Sequence, residues 1–170
     1  MSPVDYDNKT NLATMIVRPL YFGLVSNIVI PVALLLVCFY INNNYPVENK
    51  IEESANIFFY VFAVLALAEA GFALWWRNLL YHKPMIRRAE SFEADFMQAL
   101  LARSKPVFLL IASISVFGYL YFFLTGRFAE AVLFVVFSFL VFQVVRPRYG
   151  MVKKLLAHQQ SLVDNGMYLK

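Results

Sequence analysis

The amino-acid sequence predicts an all-α integral membrane protein, with four transmembrane helices arranged as two hairpins in a four-helix bundle and an amphipathic helix on the cytoplasmic side. Composition is the first reason. Of the 170 residues, 61% are apolar and 15% are charged, whereas soluble domains average about 45–50% apolar and about 25% charged residues. The second reason is that apolar residues form four long runs. A helix of roughly 17–25 such residues crosses a hydrocarbon core of about 30 Å with its backbone polar groups paired internally.

The four runs place the spans at about residues 19–41, 55–76, 106–124 and 128–145 of a single membrane domain, residues 1–170. Glu69 is the only charged residue in the first three runs. The fourth is long enough only if it begins near Phe128 and takes in Glu130 at its interfacial end. Pro19 and Pro106 each follow a basic residue, and both indicate helix starts, because proline costs no hydrogen bond at the first helical position. The first run follows a polar segment and lacks a small-residue cleavage site, so we expect a span of the mature chain and not a signal peptide.

Lysine and arginine determine the predicted orientation. Thirteen of the 15 basic residues fall in the N-terminal segment, between the second and third spans, or in the C-terminal tail. Only Lys50, in a polar loop at 42–54, and Arg127 fall on the other side. Because basic loops stay in the cytoplasm, we expect both termini there. Anionic lipid headgroups at the cytoplasmic face attract such basic residues, which explains the net charge of +4 without a nucleic-acid partner.

The segment between the second and third spans predicts a cytoplasmic amphipathic helix at about 85–103. Its apolar residues recur at spacings of three and four, namely Ala89, Phe92, Phe96, Ala99 and Leu100. Acidic residues in its first turns and Arg103 in its last suit the helix dipole. We expect this helix to lie in the headgroups. The alternative is a docking surface for a partner, with Phe92 and Phe96 as anchors. The cytoplasmic tail, 146–170, repeats the pattern more weakly.

Glu69 is the most informative single residue, because an ionised carboxylate inside a span costs several kcal/mol. One interpretation is a proton or cation site in which Glu69 alternates between protonated and ionised forms, with polar partners from other spans, chiefly Asn27 and Ser113. Ser115 and Gln143 are further candidates. The other interpretation is a hydrogen-bonded carboxyl that holds two helices together. One carboxylate without a second intramembrane charge is a poor transport pathway, so we favour the second.

Small residues form a stripe at heptad-like spacing in the second span, at Ala63, Ala66, Ala70 and Ala73. Small side chains let another helix approach closely. The stripe is therefore a predicted packing face, used either within one monomer or between chains.

Three arginines at the predicted cytoplasmic rim are candidates for holding anionic lipid or an anionic ligand, namely Arg77, Arg87 and Arg88. The orientation rule already explains basic residues at this position.

No phosphate-binding loop, nucleophile elbow or zinc-protease signature occurs in the sequence. His82 and His158 have no metal-ligand spacing. We therefore expect no catalytic residues, metal or cofactor. An enzyme with a site buried among the four helices is the alternative, in which Arg77, Tyr81, Arg87 and Arg88 would hold an anionic substrate.

Phe123-Leu-Thr-Gly126 at a predicted outer turn, followed by an apolar span that ends in Arg146-Pro147, resembles a group of small four-span bacterial membrane proteins. The resemblance covers the C-terminal part of the chain and implies no activity. It does imply a bacterial inner membrane as the location.

The function that we expect is non-enzymatic: a structural or accessory subunit of a homo-oligomer or of a larger membrane complex, with other membrane chains or further copies as partners. The alternative is a proton-coupled small transporter or an ion-conducting oligomer that uses Glu69.

Overall fold

The structure, a computed structural model, describes residues 9–45 and 54–169, with the backbone alone described for residues 9–11. Most of the predicted polar loop, with Lys50, lies outside these ranges. Within them the ordered elements are helices and no strand occurs. In chain order they are α1 (Lys9–Leu24), a π-helical segment (Val25–Val29), α2 (Ile30–Asn44), α3 (Ala55–His82), a 3-10 turn (Ala89–Ser91), α4 (Phe92–Thr125), α5 (Phe128–Val145) and α6 (Tyr149–Asp164).

Four helices are long and apolar enough to cross a membrane, at residues 12–44, 55–82, 89–125 and 128–145. This confirms the all-α class and the expectation of four helices of membrane-spanning length within the described ranges. The first three helices extend past their apolar runs, since helical hydrogen bonding continues into polar residues where packing supports it. Pro19 and Pro106 accordingly lie inside α1 and α4 and do not begin them.

The first membrane-length helix is formed by α1, the π-helical segment and α2 without a break, and we call it the first helix. Pro31 follows the π-helical segment and has no backbone N–H. A proline inside a helix also clashes with the carbonyl four residues earlier, here that of Asn27. The wider π turn over Val25–Val29 falls just at this point, as is usual where a proline disturbs the hydrogen-bond ladder.

Helices α4 and α5 form the centre of the arrangement, and the first helix and α3 each pack against both of them. Glycine permits the closest approaches. A Cβ on Gly118 of α4 would lie 2.6 Å from the carbonyl oxygen of Ala131 in α5, and one on Gly23 would lie 2.5 Å from the ring of Phe142. The predicted hairpin of first and second spans is not found, because the first helix and α3 make little contact in the described ranges. Hydropathy locates spans but does not say which faces meet.

The predicted amphipathic helix is not a separate element. Residues 85–88 precede the helix, residues 89–91 form the 3-10 turn, and the rest belongs to α4, which runs on through Lys105 and Pro106. Phe92 and Phe96 are buried, with stacked rings whose centroids lie 6.4 Å apart. They are therefore not exposed anchors for a partner, and the apolar face of this helix packs against protein, not headgroups.

These buried side chains belong to a compact cluster at the end of the bundle that carries Arg77 and Arg103, which we call the basic end. The first turns of α1, the end of α3, the 83–88 connection, the start of α4 and α6 all contribute to it. Its buried residues are Leu12, Met15, Tyr81, Met85, Ile86, Phe92, Phe96, Leu100, Val152, Leu155, Leu156 and Val163. The apolar faces of α6 and of the start of α4 thus lie in one cluster, in which α6 packs chiefly against α1. Removing one buried aromatic ring from such a cluster costs about 3–5 kcal/mol.

At the opposite end, Gly126 ends α4 with a left-handed φ of 71°, and its N–H bonds the carbonyl of Phe122 at 2.7 Å. Glycine adopts this conformation without a steric penalty. The tight turn brings α5 back antiparallel to α4. Arg127 in the turn lies 3.4 Å from Glu130 and donates to Asn56 of α3 at 2.9 Å.

Candidate functional site

Glu69 lies near the middle of α3, half-buried at the seam with α4. Its Oε2 accepts a hydrogen bond of 2.9 Å from Ser113 Oγ of α4. The same hydroxyl lies 2.5 Å from the carbonyl oxygen of Leu110, one turn earlier in its own helix. The structure therefore brings two of the three predicted site residues together, in the arrangement typical of a polar residue that links two membrane helices.

Asn27, the third predicted residue, lies elsewhere. It is 1% exposed within the π-helical segment, and its Nδ2 donates to the carbonyl of Gly23 at 3.1 Å and to Ser26 Oγ at 2.9 Å. It makes no hydrogen bond to Glu69 in the described structure. Its own Oδ1 is buried without a partner.

Helix α4 separates the two sites. Ser113 bonds α3, whereas Ser115, two positions later, points about 200° away around the helix at 3.6 residues per turn. Ser115 is 1% exposed and its Oγ has no partner among the described residues. Gln143, the other suggested partner, is half-buried near the end of α5. Within residues 9–45 and 54–169, no chain of polar side chains therefore leads from Glu69 across the bundle.

The predicted alanine stripe is used mainly within the chain. Ala66, Ala70 and Ala73 are 1%, 7% and 0% exposed and share a core cluster with α4 residues such as Ile111. Ala63 is half-buried and lines an apolar groove between α3 and α5, which is completed by Phe59, Ala66, Leu67, Leu133, Phe134 and Phe137. Close packing of α3 on α4 is therefore what the small side chains permit here.

The arginine rim does not form a single site. Arg77 donates from Nη1 to the carbonyls of Val144 and Val145, each at 3.2 Å. These carbonyls belong to the last turn of α5, where backbone acceptors lack helical partners and a cation is favourable. Arg77 thus caps a neighbouring helix. The side chains of Arg87 and Arg88 are exposed on the 83–88 connection.

Asp95 holds that connection through its carboxylate. Its Oδ2 accepts hydrogen bonds from the backbone N–H groups of Arg87 at 2.9 Å and Arg88 at 3.4 Å, and from Ser91 Oγ at 3.0 Å. These bonds, the one from Arg87 first, lower the pKa of Asp95 below its ordinary value because they favour the charged form. The negative charge also lies in the first turn of α4, where the helix dipole favours it.

Gln159 of α6 is a structural residue that the sequence did not suggest. It is 0% exposed. Its Oε1 accepts from the backbone N–H of Met85 at 2.8 Å, and its Nε2 donates to the carbonyls of Lys83 at 3.2 Å and Tyr81 at 3.4 Å. The available signal was its position on the apolar face of α6, four residues after Leu155.

Arg103 was predicted only as a dipole residue, but it caps another helix. Its guanidinium donates to the carbonyls of Leu80 and Lys83, and to that of Pro84 at 2.5 Å. The end of α3 is thus closed by a side chain from α4. Capping at this distance along the chain has no local sequence signal.

His82 and His158, which lie far apart in the sequence, face each other at the basic end. Their ring centroids are 5.9 Å apart, and both residues are exposed. His82 Nδ1 lies 2.6 Å from the carbonyl oxygen of Asn78. Within the described ranges, no group of three or more His, Cys, Asp or Glu side chains could hold a metal ion.

In comparisons with known proteins, no family model, curated protein or solved structure matches this chain.

Proposed function

We propose that this chain is a non-enzymatic structural or accessory subunit that associates with a further membrane-embedded helix, from a second copy or from another protein. Glu69 carries the proposal. Among the described residues its carboxyl group accepts a hydrogen bond only from Ser113, and it is half-buried on the outer surface of the bundle. Hydrocarbon cannot satisfy the remaining lone pairs, and each unsatisfied polar group costs several kcal/mol there. A donor from a neighbouring helix removes this cost.

The flank of α3 that bears Glu69 is the proposed contact face. Leu65 precedes Glu69 by one turn and Trp76 follows it by two, so the three side chains lie along one side of the helix. Leu65 is 44% exposed and Trp76 is half-buried. Leu67, 60% exposed, lies on the opposite flank beside the apolar groove and provides an internal comparison.

Cysteine cross-linking in native membranes tests this proposal. In a background with the buried Cys38 replaced by Ala, Leu65→Cys should cross-link to a neighbouring chain and Leu67→Cys should not. Adding Glu69→Leu should abolish the cross-link, whereas Glu69→Gln should retain it because an amide keeps most of the hydrogen-bonding capacity. Equal cross-linking at both positions, or a cross-link that survives Glu69→Leu, contradicts the proposal.

Proton-coupled transport is the second candidate, and the same carboxyl inside an apolar helix is the observation that favours it. The two functions differ in what Glu69→Gln does. A structural role leaves any flux unaltered, whereas a transport role requires that the substitution abolish proton-dependent flux. Liposomes with an internal pH-sensitive dye, under a pH gradient and under an imposed voltage, measure this. If the wild-type chain conducts protons and Glu69→Gln does not, the subunit proposal is wrong and proton transport takes its place.

A further inference from the structure

The interior of the bundle contains unpaired polar atoms that the Glu69 seam does not use. Asn27 Oδ1 and Ser115 Oγ are both buried without a hydrogen-bond partner in the described structure. The orientation of the Asn27 amide is determined, because its Nδ2 donates to the Gly23 carbonyl. Unpaired polar atoms in a protein interior are rare, and an unseen water or ion is a usual explanation.

Contacts on either side place these two residues at one level. Towards the basic end, Gly23 of the first helix packs against the rings of Phe108 in α4 and Phe142 in α5. Towards the opposite end, Tyr119 of α4 donates from its hydroxyl to the Pro31 carbonyl of the first helix at 2.7 Å. Asn27 lies one turn from Gly23 and one turn from Pro31.

Ser115 completes this level on α4. It precedes Tyr119 by one turn and follows Phe108 by two, so it lies on the same face of α4 as both. Asn27 and Ser115 are therefore bracketed by the same pair of contacts, between the first helix and α4.

Helix α5 adds a third polar side chain. Ser138 precedes Phe142 by one turn, and α5 runs antiparallel to the first helix, so Ser138 falls at the level of Asn27. It is 0% exposed, and its hydroxyl donates to the carbonyl of Ile111 at 2.9 Å. That bond uses its proton and leaves its oxygen able to accept.

We propose that a bound water molecule occupies the junction of the first helix, α4 and α5, hydrogen-bonded to Asn27 Oδ1 and Ser115 Oγ, with Ser138 Oγ as third partner. One water can donate to Asn27 and Ser138 and accept from the Ser115 hydroxyl, which satisfies all three groups. Two to four polar partners are what buried waters use. The π-helical segment beside it supplies the local widening, and such segments occur frequently at functional sites.

A cation fits this junction less well. The three oxygens are neutral, and the Ser115 proton would stay without an acceptor. The only carboxylate in the apolar part of the described helices is that of Glu69 in α3, which contacts the opposite face of α4 through Ser113. A cation in a low-dielectric site requires a compensating charge.

Radiolytic footprinting of the full chain in ¹⁸O-labelled water tests the proposal, because hydroxyl radicals formed from a bound water label the side chains beside it. Leu24 and Ile28 of the first helix are partly buried against the core cluster that contains Phe108 and Phe142. We expect ¹⁸O incorporation at these two residues in the wild-type chain and its loss in Asn27→Leu/Ser115→Ala. Ser115→Thr keeps the hydroxyl and should retain the label. Ser113→Ala, the same change on the opposite face of α4, should also retain it.

Three results would overturn the proposal: no label in the wild-type chain, a label that persists in the double variant, or equal loss in Ser113→Ala. Ser115→Ala alone is the milder variant if the double variant fails to fold, and it should reduce the label. Heat stability that rises with sodium but not with choline, and only when Asn27 and Ser115 are present, would assign a cation and exclude the water. None of these readouts depends on whether Leu65 cross-links to a neighbouring chain.

Discussion

Gln159→Ala tests the finding that a buried amide attaches α6 to the 83–88 connection. The substitution removes the acceptor of the Met85 N–H and the donor to the carbonyls of Lys83 and Tyr81. Met85 is 1% exposed, so its N–H cannot turn to solvent in the folded state. The connection should then open more often while the apolar helices stay in place.

The size of the effect follows from the hydrogen bonds. A buried donor left without a partner costs about 1–3 kcal/mol, and the net loss of a typical further bond costs about 0.5–1.5 kcal/mol. The hydrogen bond to the Lys83 carbonyl contributes this full amount to the loss. The bond to the Tyr81 carbonyl, at 3.4 Å, is long and contributes little. The local opening free energy should fall by about 1.5–4.5 kcal/mol. At about 1.4 kcal/mol per factor of ten, the open fraction rises about 10- to 1,600-fold.

Amide hydrogen exchange at Met85, measured by mass spectrometry in detergent, reports this opening directly. Gln160→Ala is the matched control, since Gln160 lies beside Gln159 and its side chain bonds, among the described residues, only the exposed Asp164, at 3.3 Å. It should leave the exchange rate nearly unchanged. An exchange rate in Gln159→Ala that equals that of the control would refute the assignment of Gln159 as the attachment between α6 and the connection.

Three further substitutions test other contacts. Ala70→Leu should overpack the α3–α4 seam and lower the free energy of unfolding by about 1–3 kcal/mol, seen as a lower thermal midpoint in detergent with oligomer size unchanged. Arg77→Leu removes the cap of α5, and we expect faster amide exchange confined to its last turn. The lowered pKa of Asp95 stabilises the fold above the ordinary value of about 3.9, and this stabilisation is lost as pH falls through the lowered pKa. Protection of the Arg87 and Arg88 amides should therefore decrease in acid, and Asp95→Asn should remove that dependence.

Each of these has a contrary outcome. If Ala70→Leu changes the oligomer size and leaves the thermal midpoint unchanged, the alanine stripe is an interface between chains and not a contact within one chain. Uniform acceleration along α5 in Arg77→Leu would indicate general unfolding and not a lost cap. Acid sensitivity that persists in Asp95→Asn would assign it to another group.

Hydropathy and charge predicted the four spans because burial in lipid acts on each helix separately. The same reasoning does not encode which faces meet. Apolar residues occur on every side of the first helix, so the sequence does not indicate which side packs against its neighbours. The structure shows that the side bearing Gly23 packs against Phe108 and Phe142. The predicted pairing of the first two spans therefore had no physical basis in the pattern.

The Glu69–Ser113 bond could be predicted in part, since a carboxyl in a span needs a donor and Ser113 was a candidate. Asn27 was an equally good candidate by residue type, and only the packing of α4 between the two sites excludes it. The predicted start of a helix at Pro106 was wrong. A proline that suits the first turn of a helix can also lie inside a helix when the residues on both sides of it are packed. Leu100 before it and Val107 after it are 0% and 1% exposed.

The continuity of α4 also has a mechanical consequence. Its 34 residues span about 51 Å at 1.5 Å per residue, with one part in the basic-end cluster and the rest between the first helix, α3 and α5. A tilt of about 10° about the midpoint of such a rod carries each end about 4 Å in opposite directions. Ser113 and Ser115 lie about 7–10 Å past that midpoint, so the same tilt moves the faces that carry them by about 1–2 Å, in the direction opposite to the motion of Phe96.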